Sequence, residues 1–355
     1  MTTHEGVRVC DKCSWLVGAL ALVASPESFK HDMLTGKDMK LGEIYRLIVD
    51  MGIKADPRGE DKIKKILEQS KKKLDKLEGK KKELADKDKE WNPYTDCRLH
   101  YGKEDREVNS VLAGIDIGTG EIVLADRLTE KGTPIDLVLA HHPHGIGMSE
   151  LDWVMRLQPE HWAKLGVPIA QAESAMAKRL KEVHFGIKAR NHTQVIDAAT
   201  LLDVPLMSAH TPADSLGYQF LTEYLTEKDP QTLGDIVDTL LEIPEYQGAE
   251  LVGAGPEIIV GSPEGSVGDK FVFFTGGTSP GKESIKKLAR AGVSTFVTMH
   301  MSEDLKKECE GEGMYVVIAG HHSSDSIGVN LILDELEKKG MKTYACSGFI
   351  RHKRT

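Results

Sequence analysis

Between Met39 and Met51 the apolar residues Leu41, Ile44, Leu47, Ile48 and Met51 recur at spacings of three and four, as on one buried helical face. Asp56-Pro57-Arg58-Gly59 then breaks the pattern. Residues 60 to 90 carry a second, highly charged helical pattern. Here Ile63, Leu67, Leu74, Leu77 and Leu84 fall on heptad positions, interrupted by Ser70 and Lys81. So narrow and broken a seam predicts a projecting helix or a short hairpin arm. From about Val108 short β-rich runs alternate with helical patterns. The predicted strands are VLAGIDI, IDLVLA, VPLMSA, FVFFTG, STFVTM and YVVIAG. Helices are predicted over Ser174 to Val183, Leu233 to Leu241, Lys282 to Ala291 and Asp325 to Lys339, the last closed by Gly340. This alternation predicts an α/β fold, layered α/β/α, with two related lobes and a charged helical arm near the N-terminus. The expected division is an N-terminal extension over 1–38, a first lobe over 39–225 containing the arm 60–90, and a second lobe over 226–355.

Composition narrows the setting. A net charge of -9 argues against nucleic acid as a partner, since broad electrostatic binding needs a basic face. The arm holds twelve lysines against nine acidic residues, which raises RNA contact as an alternative, but so mixed a charge reads first as a solvated face. Five scattered cysteines do not form a disulfide framework, so a reducing, cytoplasmic location is expected. The apolar stretch Trp15 to Ala24 is too short to cross a bilayer, which takes roughly 20 residues. Asp11 and Glu5 spoil its reading as a signal peptide, and no membrane partner is expected.

The chemistry lies in where the histidines fall. IDLVLA runs into His141-His142-Pro143-His144, VPLMSA into His210-Thr211-Pro212-Ala213-Asp214, and YVVIAG into His321-His322-Ser323-Ser324-Asp325. Loops at the C-terminal ends of strands in α/β sheets converge on one crevice, so six imidazoles and two carboxylates are expected to meet there. His-x3-Asp occurs at His210/Asp214 and His321/Asp325, a spacing that puts both side chains on one face of a helical turn. Mixed imidazole and carboxylate suits zinc, manganese, iron or nickel, and a carboxylate can bridge two such divalent transition-metal ions. A lone strand-end histidine is usually structural; three equivalent clusters are harder to explain so.

The order "strand-HHP", "SAHT-x-x-D", "GGT…strand…GHHSSD" resembles the Nif-three-like dinuclear-metal family, also known as GTP cyclohydrolase I type 2-like, over most of Met39 to Lys339. That resemblance implies a toroidal homohexamer whose metal pair faces an internal cavity. It also implies the ligands His141, His142, Asp214, His321 and Asp325. Two positions depart from it: Asp325 stands where the family usually has Glu, and His300 stands where it commonly has a Gly-Asp pair.

Other motifs carry less. Gly276 to Lys282 approaches a phosphate-cradling loop, but Glu283 replaces the hydroxyl that Mg²⁺ coordination requires. GIDIGTG at 114–120 resembles the first phosphate loop of sugar kinases without its companion motifs, and reads as a turn whose Asp116 ends a strand near the crevice. Cys10-x-x-Cys13 and Cys97-x-x-His100 are too far apart for a usual zinc signature.

The expected function is metal-dependent hydrolysis of a small-molecule substrate, nucleotide-like or a phosphoester, with His144, His210 or His300 carrying the proton. The alternative is non-enzymatic metal storage or delivery, or a scaffold that meets partners through the charged arm.

Overall fold

The computed structural model describes residues 39–268, 271–273 and 277–354. The N-terminal extension, the apolar stretch 15–24 and the Cys10/Cys13 pair lie outside them, as does Gly276.

The fold is layered α/β, built on two sheets. The larger contains β2 (Cys97–Tyr101), β4 (Ser110–Gly114), β5 (Leu137–Ala140), β6 (Leu206–Ala209) and β11 (Lys342–Cys346), in the order β11-β4-β5-β6-β2. The smaller contains β7 (Glu257–Val260), β8 (Phe271–Phe273), β9 (Thr295–Thr298) and β10 (Tyr315–Ile318), in the order β7-β10-β9-β8. Both follow one plan, a run of parallel strands closed at one edge by an antiparallel one, β2 beside β6 and β7 beside β10. The remaining strands, β1 (Met39–Lys40) and β3 (Glu107–Val108), form a short separate ladder. β4, β5 and β6 are buried along their length because helices cover both faces, which explains their continuous apolar runs. Sheet membership crosses the division expected at 225/226. β11, near the C-terminus, returns to pair with β4, whose edge would otherwise lie open.

Six predicted strands exist, several shorter than the apolar run suggests. β4 stops at Gly114, for instance, because the amides of Ile115 and Asp116 leave the ladder to donate to the Ser347 carbonyl. The antiparallel edges β2 and β7 and the half-exposed β11 escape sequence reasoning, since they lack continuous apolar runs.

The charged segment differs from the first of the two expected forms, a single projecting helix. It is not one helix but Glu60–Asp75, the single turn Gly79–Glu83 and a 3-10 turn over Lys87–Glu90. Gly79 takes a left-handed φ of +52° and breaks the continuity. Of the proposed seam only Ile63 is fully buried, while Leu84 is exposed.

Two helices position the site. Thr211–Lys228 leaves the end of β6, and His321–Lys338 leaves the end of β10. They cross at Gly328, where any side chain would collide with the Ala213 carbonyl. Gly52 admits Pro212 in the same way, since a Cβ there would lie 2.7 Å from the proline ring; this seats Leu41–Ala55 against the first helix. Close backbone approach through glycine therefore fixes the helix starts that carry Asp214 and Asp325.

Candidate metal centre

His141 and His142 follow β5 directly, and their amides donate to Gly114 and Ile115 at 2.9 and 3.1 Å, extending the sheet pairing past the strand end. His210 caps the helix that carries Asp214 in its first turn. His321 is the first residue of its helix, entered through Gly320 at φ +109°, so Asp325 sits one turn later on the same face. The helix begins at His321, four residues before the expected start.

These side chains meet. His141 Nε2 lies 3.4 Å from both Asp214 Oδ1 and Asp325 Oδ1. Asp325 Oδ2 lies 3.6 Å from His142 Nε2 and 3.5 Å from His321 Nε2. His210 Nε2 is 3.8 Å from Asp214 Oδ2. Three groups have potential ligand atoms within 4.8 Å of one another: His141/His142/His210, His142/His321/Asp325 and His141/Asp214/Asp325.

The separations decide how the cluster is read. They exceed an ordinary N–H···O hydrogen bond. Atoms held at about 2.1 Å from one ion in tetrahedral or octahedral array lie roughly 3.0–3.5 Å apart. His141 Nε2, Asp214 Oδ1 and Asp325 Oδ2 are buried with no hydrogen-bond partner among the described residues. Buried polar groups left so cost stability unless something else satisfies them. The residues present fit a bound metal ion.

Bracing on the far side of the rings supports this. His210 Nδ1 bonds Asp96 Oδ2 at 2.9 Å, and Thr211 Oγ1 donates to the same oxygen at 2.7 Å. His142 Nδ1 bonds Asp116 Oδ1 at 2.6 Å, and His322 Nε2 lies 3.1 Å from Asp116 Oδ2. Carboxylates behind imidazoles commonly orient metal ligands in this way. Burial lowers the pKa of His141, His142 and His321 to about 4 each, and so favours the neutral form that ligation requires. Burial raises the carboxyl pKa of Asp214 and of Asp325. For His210 burial works downward, but the carboxylates of Asp214 and Asp96 overturn it and raise the pKa to about 9.

A cleft of about 380 Å³ opens over the cluster, and His142, His210, His300 and His321 line it with Arg179 and Arg190. His300 follows β9, and its ring centroid lies 4.7 Å from that of His321. Of the three expected proton carriers, His300 is therefore at the cleft, and His210 stands within the cluster itself. His144 joins none of the three groups: its ring packs 6.1 Å from that of His100, and burial lowers its pKa. Cys97 is buried in the core and His100 Nε2 bonds Ser208 Oγ at 2.9 Å, so that pair stays within the fold. Asp96 escapes sequence reasoning. It precedes an unpredicted strand, and only the pairing of Cys97 with Ala209 brings it beside His210. Asp116 is signalled by its place after β4.

No family model matches the chain, and no curated protein does. Among solved structures, a NIF3 superfamily protein from Sphaerobacter thermophilus is similar over 72% of this chain and 91% of its own, with 27% identity and a TM-score of 0.65. Reduced HcgD from Methanocaldococcus jannaschii is similar over 74% and 91%, with 14% identity and a TM-score of 0.46. TTHA1606 from Thermus thermophilus is similar over 72% and 89%, with 17% identity and a TM-score of 0.41. Among the described residues no helix is long and apolar enough to cross a membrane. The first likeness covers nearly the whole of its counterpart, and it shows a chain similar in fold to a NIF3 superfamily protein.

Proposed function

We propose that the chain is a dinuclear metal-dependent hydrolase, with His141, His142, Asp214, His321 and Asp325 holding two divalent transition-metal ions. The observation that carries this is Asp325. Its two oxygens face different partners, Oδ1 toward His141 and Oδ2 toward His142 and His321, as a carboxylate shared by two ions would. His210, turned toward Asp214 by Asp96, stands on the His141 side. The ions would supply Lewis acidity toward a phosphoryl group or an activated ring carbon.

The chain's own residues do the rest. Arg179 and Arg190 line the cleft and orient an anionic substrate, nucleotide-like or a phosphoester. His300, lining the same cleft, would move a proton at its ring nitrogen. Catalysis is favoured over storage because the cluster lies beneath an open cleft, whereas structural metal sites are closed by their ligands. A reducing cytoplasm and a homohexamer belong to the same reading.

The test is metal content by mass spectrometry, for wild type beside His142→Ala/Asp325→Ala, followed by turnover of a phosphoester and purine-nucleotide panel. About two ions per wild-type chain, lost in the double variant, and turnover that follows the metal are expected. No stoichiometric metal after reconstitution overturns the site. Full metal without turnover overturns the hydrolase and leaves storage or delivery.

A further inference from the structure

A second surface has a chemistry of its own. The helix Glu60–Asp75 buries Ile63 and half-buries Ile66, Leu67, Ser70 and Leu74 on the same side. At 100° per residue its charges then sort into two sectors. Glu60, Asp61, Glu68 and Asp75 fall in one, with Lys64 and Lys71 among them. Lys62, Lys65, Lys72 and Lys73 fall in the other with Gln69 and no carboxylate, and Lys76 continues that stripe past the helix end. All five lysines are exposed, and the stripe runs for about 20 Å. Counting charges along the segment conceals this separation.

Trp153 stands half-buried at the edge of the stripe. Lys73 Nζ, Lys89 Nζ and the Arg156 guanidinium carbon lie 6.0, 5.5 and 5.3 Å from its ring centroid. A cavity of about 200 Å³ is lined by the ring together with Ile66, Gln69, Ser70, Lys73, Arg156 and the Lys62-paired Glu160. Nearby carboxylates are already engaged: Glu150 with Lys89 at 2.6 Å and Glu160 with Lys62 at 2.9 Å. Among the described residues no carboxylate forms an ion pair with Lys65, Lys72, Lys73, Lys76 or Arg156.

We propose that this surface binds single-stranded nucleic acid, with the backbone along the lysine stripe and one base against Trp153. A cationic track beside an aromatic ring is the combination that sequence-tolerant single-strand binding uses. An acidic peptide would meet the same lysines but has no planar group for the ring. The overall charge of -9 does not oppose this, because at physiological salt a stripe acts over a Debye length of about 8 Å.

The experiment is fluorescence anisotropy of the full chain with a labelled single-stranded oligonucleotide of about ten nucleotides, across salt from about 50 to about 200 mM. Three variants accompany it, Trp153→Ala, Trp153→Phe and the exposed Lys65→Ala/Lys72→Ala/Lys76→Ala. Saturable binding is expected, about tenfold weaker for Trp153→Ala, with Trp153→Phe restoring most of it. The triple lysine variant should lower the slope of log K against log salt by about 2. Poly-glutamate of equal charge should compete only at concentrations at least tenfold higher. The proposal is overturned by no saturable binding at the lowest salt, by an unchanged salt slope in the lysine variant, or by poly-glutamate competing as well as the oligonucleotide.

Discussion

The two sheets deliver their histidines to the cluster in different states. On the larger sheet's side the rings are held from behind: His141 is 1% exposed, Asp96 grips His210, and Asp116 grips His142. On the smaller sheet's side the His321 side chain is 40% exposed, and His300 lines open space beside it. The same topology, a strand ending in histidine and running into a helix, gives a rigid wall from one sheet and an accessible one from the other. Asp325 belongs to the accessible side by sequence and to the rigid side by position, buried between His141 and His321. A preorganised half should hold its ion tightly, and an exposed half should leave room for a ligand.

Asp325→Ala breaks this comparison most severely. It removes the group both halves share, and metal content should fall from about two ions per chain to well under one. Asp214→Ala touches only the His141 side and should leave close to one. If both variants retain equal metal, Asp325 is not shared. Gly328→Ala comes next, since it changes no ligand. The new methyl would drive into the Ala213 carbonyl and part the helices that carry Asp214 and Asp325. Overpacking of this kind costs about 1–3 kcal/mol, readable by chemical denaturation, and metal content should fall with it. Wild-type stability and metal content in this variant would show that the crossing does not set the site.

Asp96→Asn sharpens the comparison. It keeps the shape behind His210 and removes the charge, so affinity for the more tightly held ion should drop roughly 10–100-fold in competition with a chelator. The other ion should leave at the wild-type concentration of chelator. Equal weakening of both ions would mean that the two halves act as one rigid unit.

Much of this site is legible in the amino-acid sequence alone, because three buried strands ending in histidine leave few other geometries. His141, His142, Asp214, His321 and Asp325 announce themselves by their place after apolar runs. What the sequence hides depends on pairing between distant segments. Asp96 reaches His210 only through β2 lying antiparallel to β6, and β2 reads CRLHY, with no apolar run to mark it. His144 misleads in the opposite sense: it shares the strand-end position of His141 and His142, but its ring packs beside His100. The lysine segment resists the same reading because heptad positions ignore Gly79 and a charge count ignores the helical wheel.

The smallest effect concerns how the accessible half is held at all. Its helix, His321–Lys338, has no carboxylate brace behind His321 among the described residues but is clamped at its far end by the C-terminal segment. Arg351 Nη2 and Lys353 Nζ reach Glu337 at 2.8 and 2.9 Å, and Thr343 Oγ1 also donates to that carboxylate. Partial burial pushes the Glu337 pKa upward, but these donors outweigh it and hold the carboxyl at about 2, below its ordinary 4.5. A carboxyl depressed in the folded state contributes stability that is fully present above the unfolded value and is lost as pH falls toward the folded one. Stability should therefore decline between pH 4.5 and about 2 with a part that belongs to Glu337. In Glu337→Gln that part should disappear, leaving a shallower acid limb in urea-denaturation midpoints and near-wild-type metal content at neutral pH. An acid limb as steep as wild type would mean that the Glu337 clamp contributes nothing.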